Sequence, residues 1–230
     1  MQITIITLFP ELFLPFLSSS ILGRAAKKSL VEYRLLNIRN FGEGRHQVVD
    51  GRPFGGGPGM VLKADILAKA WKKAAGRERK NKSIKTILMS TSGPVFKQAK
   101  AKEYSLLKNL IIVCGHYEGV DQRFIDHYVD EEVSVGDFVL TGGELPALII
   151  TDAIVRLLPG VLKKEEATLE ESFSLSLKGR LEYSQYTRPE VFEGETVPQV
   201  LVSGNHQEIA KWREDQSLQR TLKVRPDLLA

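Results

Sequence analysis

Apolar residues along this chain recur with two periods that alternate from the N-terminus onward. Residues 3–9 are a compact β-branched and apolar run closed by Pro10, which predicts a first strand. Residues 30–38 predict a second. Residues 83–90 and 110–114 are short apolar runs, each followed by a glycine-containing turn. Runs that are apolar on both sides of the pleat belong in a parallel sheet covered on both faces. Elsewhere the spacing is that of a helix. Phe13, Phe16 and Leu17 share one face before a break predicted at Gly23, and Leu62, Ile66, Ala70 and Ala74 form a stripe that Gly76 ends. Residues 145–158 predict a helix stopped by Pro159 and Gly160, and residues 40–59 predict a long loop. Strands alternating with helices place the chain in the α/β class, on a mostly parallel sheet with flanking helices.

The rhythm changes after residue 162. Residues 163–171 carry six ionisable side chains in nine and read as an interdomain linker. The chain is therefore divided into a first domain of residues 1–162, a linker of 163–171 and a second domain of 172–230. In the last of these, Ile209 and Trp212 share a helical face that Leu218 and Leu222 continue. With 230 residues, 43% of them hydrophobic, the chain can bury one sizeable core with a smaller domain attached. Its longest apolar run, residues 145–150, falls far short of the roughly 20 residues that span a bilayer. The first eight residues lack the basic start of a signal peptide, and Pro10 and Glu11 follow at once. The single cysteine, Cys114, excludes an internal disulfide and suits a reducing compartment. These features give the expectation of a soluble, cytoplasmic protein with no membrane partner. The net charge of +4 decides little. Its distribution says more: nine Lys or Arg side chains between residues 63 and 85 face only Asp65 and Glu78. Such a stretch can meet phosphates, or coat a solvated helix and linker.

Four glycine-rich segments depart from ordinary packing: residues 51–60, 90–95, 114–123 and 134–147. Glycine lets the backbone turn sharply and approach a ligand closely. The first, GRPFGGGPGM, has no Lys-Ser/Thr pair, and no G-x-G-x-x-G stretch joins a strand to a helix. Neither a triphosphate loop nor a dinucleotide site is indicated. The second and third follow predicted strands directly, and open α/β sheets bind ligands beyond the C-terminal ends of their strands. Taken with the fourth, they can frame one pocket for an adenine-containing ligand, with Val135, Phe138 and Leu140 as its apolar wall. An ordinary tight turn explains each segment equally well alone. Glu118 can accept from a ligand amine or simply stabilise its turn. Asp121 and Arg123 can pair with each other. His116 and His127 have no metal-ligand spacing with cysteine, so no zinc site is expected, and Cys114 reads as a small buried hydrophobe. Arg156, the one basic residue of its helix, lies one turn after Asp152, where an i,i+4 ion pair is the plain expectation.

In their order, the stretches ITLFPE (6–11), GRPFGGGPGM, CGHYEGVDQR, SVGDFVLTGGELPA and ITDAIVRLLPGVL (150–162) resemble the bacterial tRNA (guanine-37, N1) methyltransferases, of the trefoil-knotted class. YTRPE (186–190) and SGNHQEIAKWR (203–213) carry the resemblance into the second domain. It implies a deeply knotted α/β domain, a flexible linker and a small helical tRNA-binding domain, in a homodimer whose active sites are shared between subunits. It also implies S-adenosylmethionine as cofactor and a divalent cation, Mg²⁺, although no metal-ligand motif stands in the sequence. By matching position, the cofactor contacts fall on Ser90, Thr91, Ser92, Gly93, Gly115, Tyr117, Glu118, Val135, Gly136, Phe138, Leu140 and Gly142. The family's base on guanine N1, an aspartate before a Ser-Phe pair, becomes Glu171, and the arginine thought to steady the guanine oxygen becomes Arg156. A second carboxylate upstream of YTRP falls on Glu182, and a histidine beside it becomes Gln185. The usual Pro-Gln of the first turn is Thr91-Ser92, and the interval from Glu171 to YTRP is about three residues longer than usual.

Overall fold

The computed structural model describes residues 1–76, 84–163 and 168–229. Arg77, Arg79, Lys80 and Lys82 of the basic stretch, its Glu78, and linker residues 164–167 lie outside that range. The chain divides into two compact units, residues 1–162 and 163–230.

The first unit is built on five strands, β1 (Gln2–Thr7), β2 (Glu32–Asn37), β5 (Ile84–Met89), β6 (Asn109–Cys114) and β7 (Glu131–Val133), with the two-residue pair β3 (Asp50–Gly51) and β4 (Val61–Leu62) between β2 and β5. The five strands are parallel and lie in the order β2-β1-β6-β5-β7. Among the described residues, five α-helices lie between the strands, α1 (Leu14–Leu17), α2 (Ser20–Lys27), α3 (Ala64–Ala75), α4 (Gln98–Ser105) and α5 (Gln122–Tyr128), and α6 (Glu144–Val155) follows β7. Alternation along the strands explains their continuous apolar character. In β6, Leu110, Ile112 and Cys114 enter one core with Leu22, Tyr104, Ile150 and Ile154, which belong to α2, α4 and α6. Ile111 and Val113 enter the opposite core with Ile66, Leu67, Ala70 and Phe124 from α3 and α5. Both faces of the pleat are therefore dry, as a helix-covered parallel sheet requires.

Three expectations need correction. Gly23 is not a helix break: it lies inside α2, and a Cβ there would stand 2.1 Å from the Ser18 carbonyl oxygen. The break falls at Ser18 and Ser19, and the glycine lets α2 pack on the end of α1. Leu62 does not open the helical stripe but belongs to β4, and the loop of residues 40–59 contains β3, antiparallel to β4. α3 itself ends at Gly76, whose φ of 54° stops it.

The second unit carries a hairpin, β8 (Val191–Phe192) with β9 (Glu195–Thr196), then α7 (Gln199–Val202) and α8 (His206–Val224). The Leu218–Leu222 stripe of α8 is exposed. The fully buried positions are Ser217 and Thr221. The Ser217 hydroxyl donates to the Leu181 carbonyl (2.6 Å), and the Leu181 N–H donates to Thr221 Oγ1 (3.0 Å). α8 is thus held on its unit by hydrogen bonds to an irregular segment whose backbone needs partners.

Candidate active site

The three parallel strands β5, β6 and β7 end together, and each releases the chain into a glycine-rich turn. Met89 leads to Ser90, Cys114 to Gly115 and Val133 to Ser134. Main-chain bonds tie the turns to one another. The Ser90 N–H donates to Val133 O (3.0 Å), the Ser134 N–H to Pro94 O (3.1 Å), the Phe96 N–H to Ser134 O (2.8 Å) and the Gly143 N–H to Gly115 O (2.8 Å). At Gly143 the approach is so close that a Cβ would meet Cys114 Cα, Gly115 N and Met89 Cβ, each at 2.9 Å. The turns enclose a cavity of about 470 Å³, within the range of small-molecule sites.

Ser90, Thr91, Ser92, Gly115, Tyr117, Glu118, Val135, Gly136, Phe138, Leu140 and Gly142 all line this cavity. Gly93 does not. It braces the wall from behind, where a Cβ would lie 2.4 Å from the Glu132 backbone. The Ser90 hydroxyl accepts from the Ser92 N–H (3.1 Å), which shapes the first turn. The Ser134 hydroxyl accepts from the Gly136 N–H (3.1 Å) and donates to Gly136 O (3.0 Å), and the Phe138 ring lies over Gly136. Phe138, Val139 and Leu140 are exposed apolar residues. The GGGPG loop reaches the same place: the Glu118 N–H donates to Met60 O (3.0 Å), and a Cβ on Gly59 would strike the Glu118 carboxyl. Two segments 60 residues apart in sequence, roughly, thus meet because glycine leaves room.

Electrostatics around the rim follow from the same packing. Burial pushes the Tyr117 phenol up, Asp50 adds to this by charge and hydrogen bonding, and Arg39 opposes it. Burial, with Glu144 nearby, pushes the Cys114 thiol well up, so it stays a neutral, buried thiol rather than a nucleophile. Asp121 caps α5, accepting from the Arg123 N–H (3.0 Å), and its carboxylate takes two bonds from the Arg123 guanidinium, which hold its pKa below the usual range.

Arg156 caps the C-terminus of α6, its N–H donating to Asp152 O. In the second unit the Ser174 N–H donates to Glu171 O (3.0 Å), and Ser172, the neighbour of Glu171, accepts from the Glu182 N–H (3.0 Å). The segments carrying the two glutamates are therefore adjacent there, and Gln185 is exposed. Among the described residues, no group of three or more His, Cys, Asp or Glu side chains is placed to hold a metal ion, and no helix is long and apolar enough to cross a membrane.

Sequence reasoning missed Glu144, which is buried beneath the turns and accepts from the Thr7 hydroxyl (2.8 Å), and weighed the cavity-lining His116 only as a metal ligand. A carboxylate opening an otherwise apolar helix, directly after two glycines, is the signal that marks Glu144.

Known proteins agree with this picture. Residues 1–230 match the family described as tRNA (Guanine-1)-methyltransferase TrmD. The chain is 51% identical over 230 residues to the tRNA (guanine-N(1)-)-methyltransferase of Geotalea uraniireducens, spanning 100% of this chain and 90% of the relative. It is 49% identical to those of Moorella thermoacetica, over 100% and 90% of the two chains, and of Ruminiclostridium cellulolyticum, over 99% and 96%. The chain belongs to the tRNA (guanine-1)-methyltransferase family that its glycine-rich motifs resemble.

Proposed function

We propose that this chain transfers a methyl group from S-adenosylmethionine to N1 of guanine 37, beside the anticodon of tRNA. The observation that carries the reading is the convergence of three glycine turns on one cavity at the C-terminal edge of β5, β6 and β7. The residues present suit the cofactor. Main-chain groups of residues 90–92 and 115–118 offer donors and acceptors to an adenine and a ribose, Phe138 and Leu140 supply an apolar wall, and the Glu118 carboxylate can take an ammonium. When bound, the cofactor supplies an electrophilic methyl carbon on a sulfonium.

The chain's own residues do the rest. Guanine N1 carries a proton and is a poor nucleophile until it leaves. The Glu171 carboxylate takes that proton, and the Arg156 guanidinium steadies the negative charge that develops on O6. The turns fix donor and acceptor within reach, which is the larger share of the task when reactants must align. The second unit, with the basic stretch, meets tRNA phosphates. For the divalent cation, the described residues offer no ligand set, and no step here passes through one.

The trefoil knot comes from the family resemblance, and the way the turns are tied together is what a knot at this edge of the sheet would need. β6 lies between β1 and β5, β7 lies beyond β5, and residues 134–143 are bonded to the turns after both β5 and β6. The homodimer has support in α6. This helix is apolar nearly all round, yet Leu145 and Ile149, one turn apart, are more than half exposed, as are Leu12 and Leu14 before it in the chain. An apolar helix face left in water marks an interface.

Incubation with labelled S-adenosylmethionine and unmodified tRNA, followed by mapping of the product nucleotide, tests the reading. Label at N1 of guanine 37 is expected; no transfer to guanine under metal-supplemented conditions would overturn it.

A further inference from the structure

Beneath the cavity floor lies a buried polar chain that the transfer mechanism does not use. The Thr7 hydroxyl, at the end of β1, accepts from the Phe9 N–H (2.9 Å), so its single proton is directed at Glu144 Oε1, 2.8 Å away. The other carboxylate oxygen, Oε2, faces His116 Nδ1 at 3.9 Å. Nδ1 is buried and has no hydrogen-bond partner. Gly142 makes the approach possible, since a Cβ there would stand 2.4 Å from Glu144 Oε2 and 2.6 Å from His116 Nδ1. The imidazole is packed between Phe9 (centroids 5.1 Å apart) and Tyr117 (4.8 Å) and lines the cavity.

A buried ring nitrogen without a partner is costly, and the Glu144 carboxylate that faces it is an acceptor. Bonds of this kind are commonly long before ligand arrives and tighten on binding. A neutral imidazole that donates from Nδ1 has Nε2 as an acceptor, and burial of Nδ1 leaves Nε2 as the nitrogen free to meet a ligand. Building on the cofactor reading of this cavity, we infer that Thr7 and Glu144 hold His116 as the Nδ1–H tautomer, so that its Nε2 accepts a hydrogen bond from an N–H of the bound ligand. His116 is then a ligand-orienting residue, and Glu144 a positioning residue acting through it. The cofactor's amino groups and guanine's N2 amine offer the same chemistry.

Glu144→Gln supplies the test. With the Thr7 proton directed at one end, the amide carbonyl takes the Oε1 place and the NH₂ faces His116 Nδ1. The ring must then accept at Nδ1 and carry its proton on Nε2. Nitrogen NMR of ¹⁵N-histidine protein, with the signal assigned through His116→Gln, is expected to show Nδ1–H in the ligand-free wild type and Nε2–H in Glu144→Gln. Ligand affinity should fall about ten- to a hundredfold in Glu144→Gln. Calorimetry with S-adenosylhomocysteine in the absence of tRNA reads the cofactor arm, and KM for tRNA at saturating cofactor reads the guanine arm; a change in either supports the inference and names the source. In His116→Gln the imidazole through which Glu144 acts is gone, so affinity should fall to about the level of Glu144→Gln, and adding Glu144→Gln should then change little. An equal loss from Glu144→Gln in both backgrounds would make Glu144 merely structural and overturn the inference, as would an Nε2–H tautomer in the wild type. Wild-type protein that bound no S-adenosylhomocysteine would overturn the cofactor reading itself, whatever tautomer the NMR found.

Discussion

Glu171 and Gly143 show how differently single positions carry this protein. Glu171 is a chemical proposal: Glu171→Gln keeps size and hydrogen-bonding capacity but cannot take the N1 proton. Folding and cofactor binding should survive, while the single-turnover rate falls about 10²- to 10⁴-fold. Glu171→Asp, which restores the family's residue type, should fail to improve the rate: it draws the carboxylate back by one methylene, and an error near 1 Å costs about 10². A near-wild-type rate for Glu171→Gln, with matched Gln variants of Glu170 and Glu182 alongside, would remove Glu171 from the base role. Gly143 is a packing position. Its φ is an ordinary −81°, so only space forbids a side chain, and the atoms a Cβ would meet include main-chain atoms of Cys114 and Gly115. Gly143→Ala should cost about 1–3 kcal/mol of stability through overpacking. It should also weaken S-adenosylhomocysteine binding, because the Gly115 turn must move. Thermal melting together with calorimetry separates the two effects, and unchanged values in both would show that the turns tolerate displacement.

At the scale of elements, β7 is the one strand of the five-stranded sheet that the apolar pattern does not mark. Only three residues long, it begins with Glu131 and Glu132, and charged residues on a short edge strand are how sheets discourage further pairing. Its place beside β5 is held partly by Glu131, which accepts from the Tyr104 hydroxyl (2.8 Å) and pairs with Lys100 (3.0 Å) and Lys85 (3.4 Å). Burial pushes the Glu131 carboxyl up, but the Lys100 and Tyr104 hydrogen bonds and the lysine charges outweigh it, so its pKa stands below the usual value. The sign follows from linkage. A depressed folded-state pKa stabilises above the unfolded value, about 4.3, and that contribution is lost as pH falls through the folded-state pKa. Glu131→Gln should therefore lower the melting temperature at pH 7 and narrow its gap to wild type as pH drops below about 4. A gap that persisted unchanged into acid would mean that Glu131 contributes through packing alone. The same turn-bearing edge loses register if β7 loosens, so the variant should also bind cofactor less tightly.

For the whole molecule, the decisive expectation is that two chains share each active site. Subunits carrying Arg156→Ala and subunits carrying Glu171→Ala should each be inactive as homodimers. Mixed and allowed to exchange, they should recover about a quarter to a half of the wild-type activity of a two-site dimer, since one of its two composite sites then keeps both residues. No recovery, with exchange verified by mass, would sink the shared-site arrangement.

Much of this protein is legible without coordinates. Periodicity alone places the first two strands, the two central ones and helices α3 and α6, because a parallel sheet covered on both faces demands uninterrupted apolar runs and a helix demands a stripe. Eleven of the twelve positions that the family resemblance matches to the cofactor line one cavity, since the glycine-rich motifs that carry the resemblance follow the ends of neighbouring strands. What the tertiary structure alone decided is the company those residues keep. Gly23 reads as a break locally, yet it is the place where α2 touches the Ser18 carbonyl. Leu218 and Leu222 continue the helical spacing of α8 but are exposed, and the second unit grips the neighbouring, hydroxyl-bearing face of α8 with backbone hydrogen bonds. Thr7, His116 and Glu144 are separated by more than a hundred residues from first to last, and nothing local announces that they meet. A periodic pattern records which face of an element avoids water, whereas contact between distant side chains depends on the order in which strands are laid side by side, and that order is a property of the folded chain as a whole.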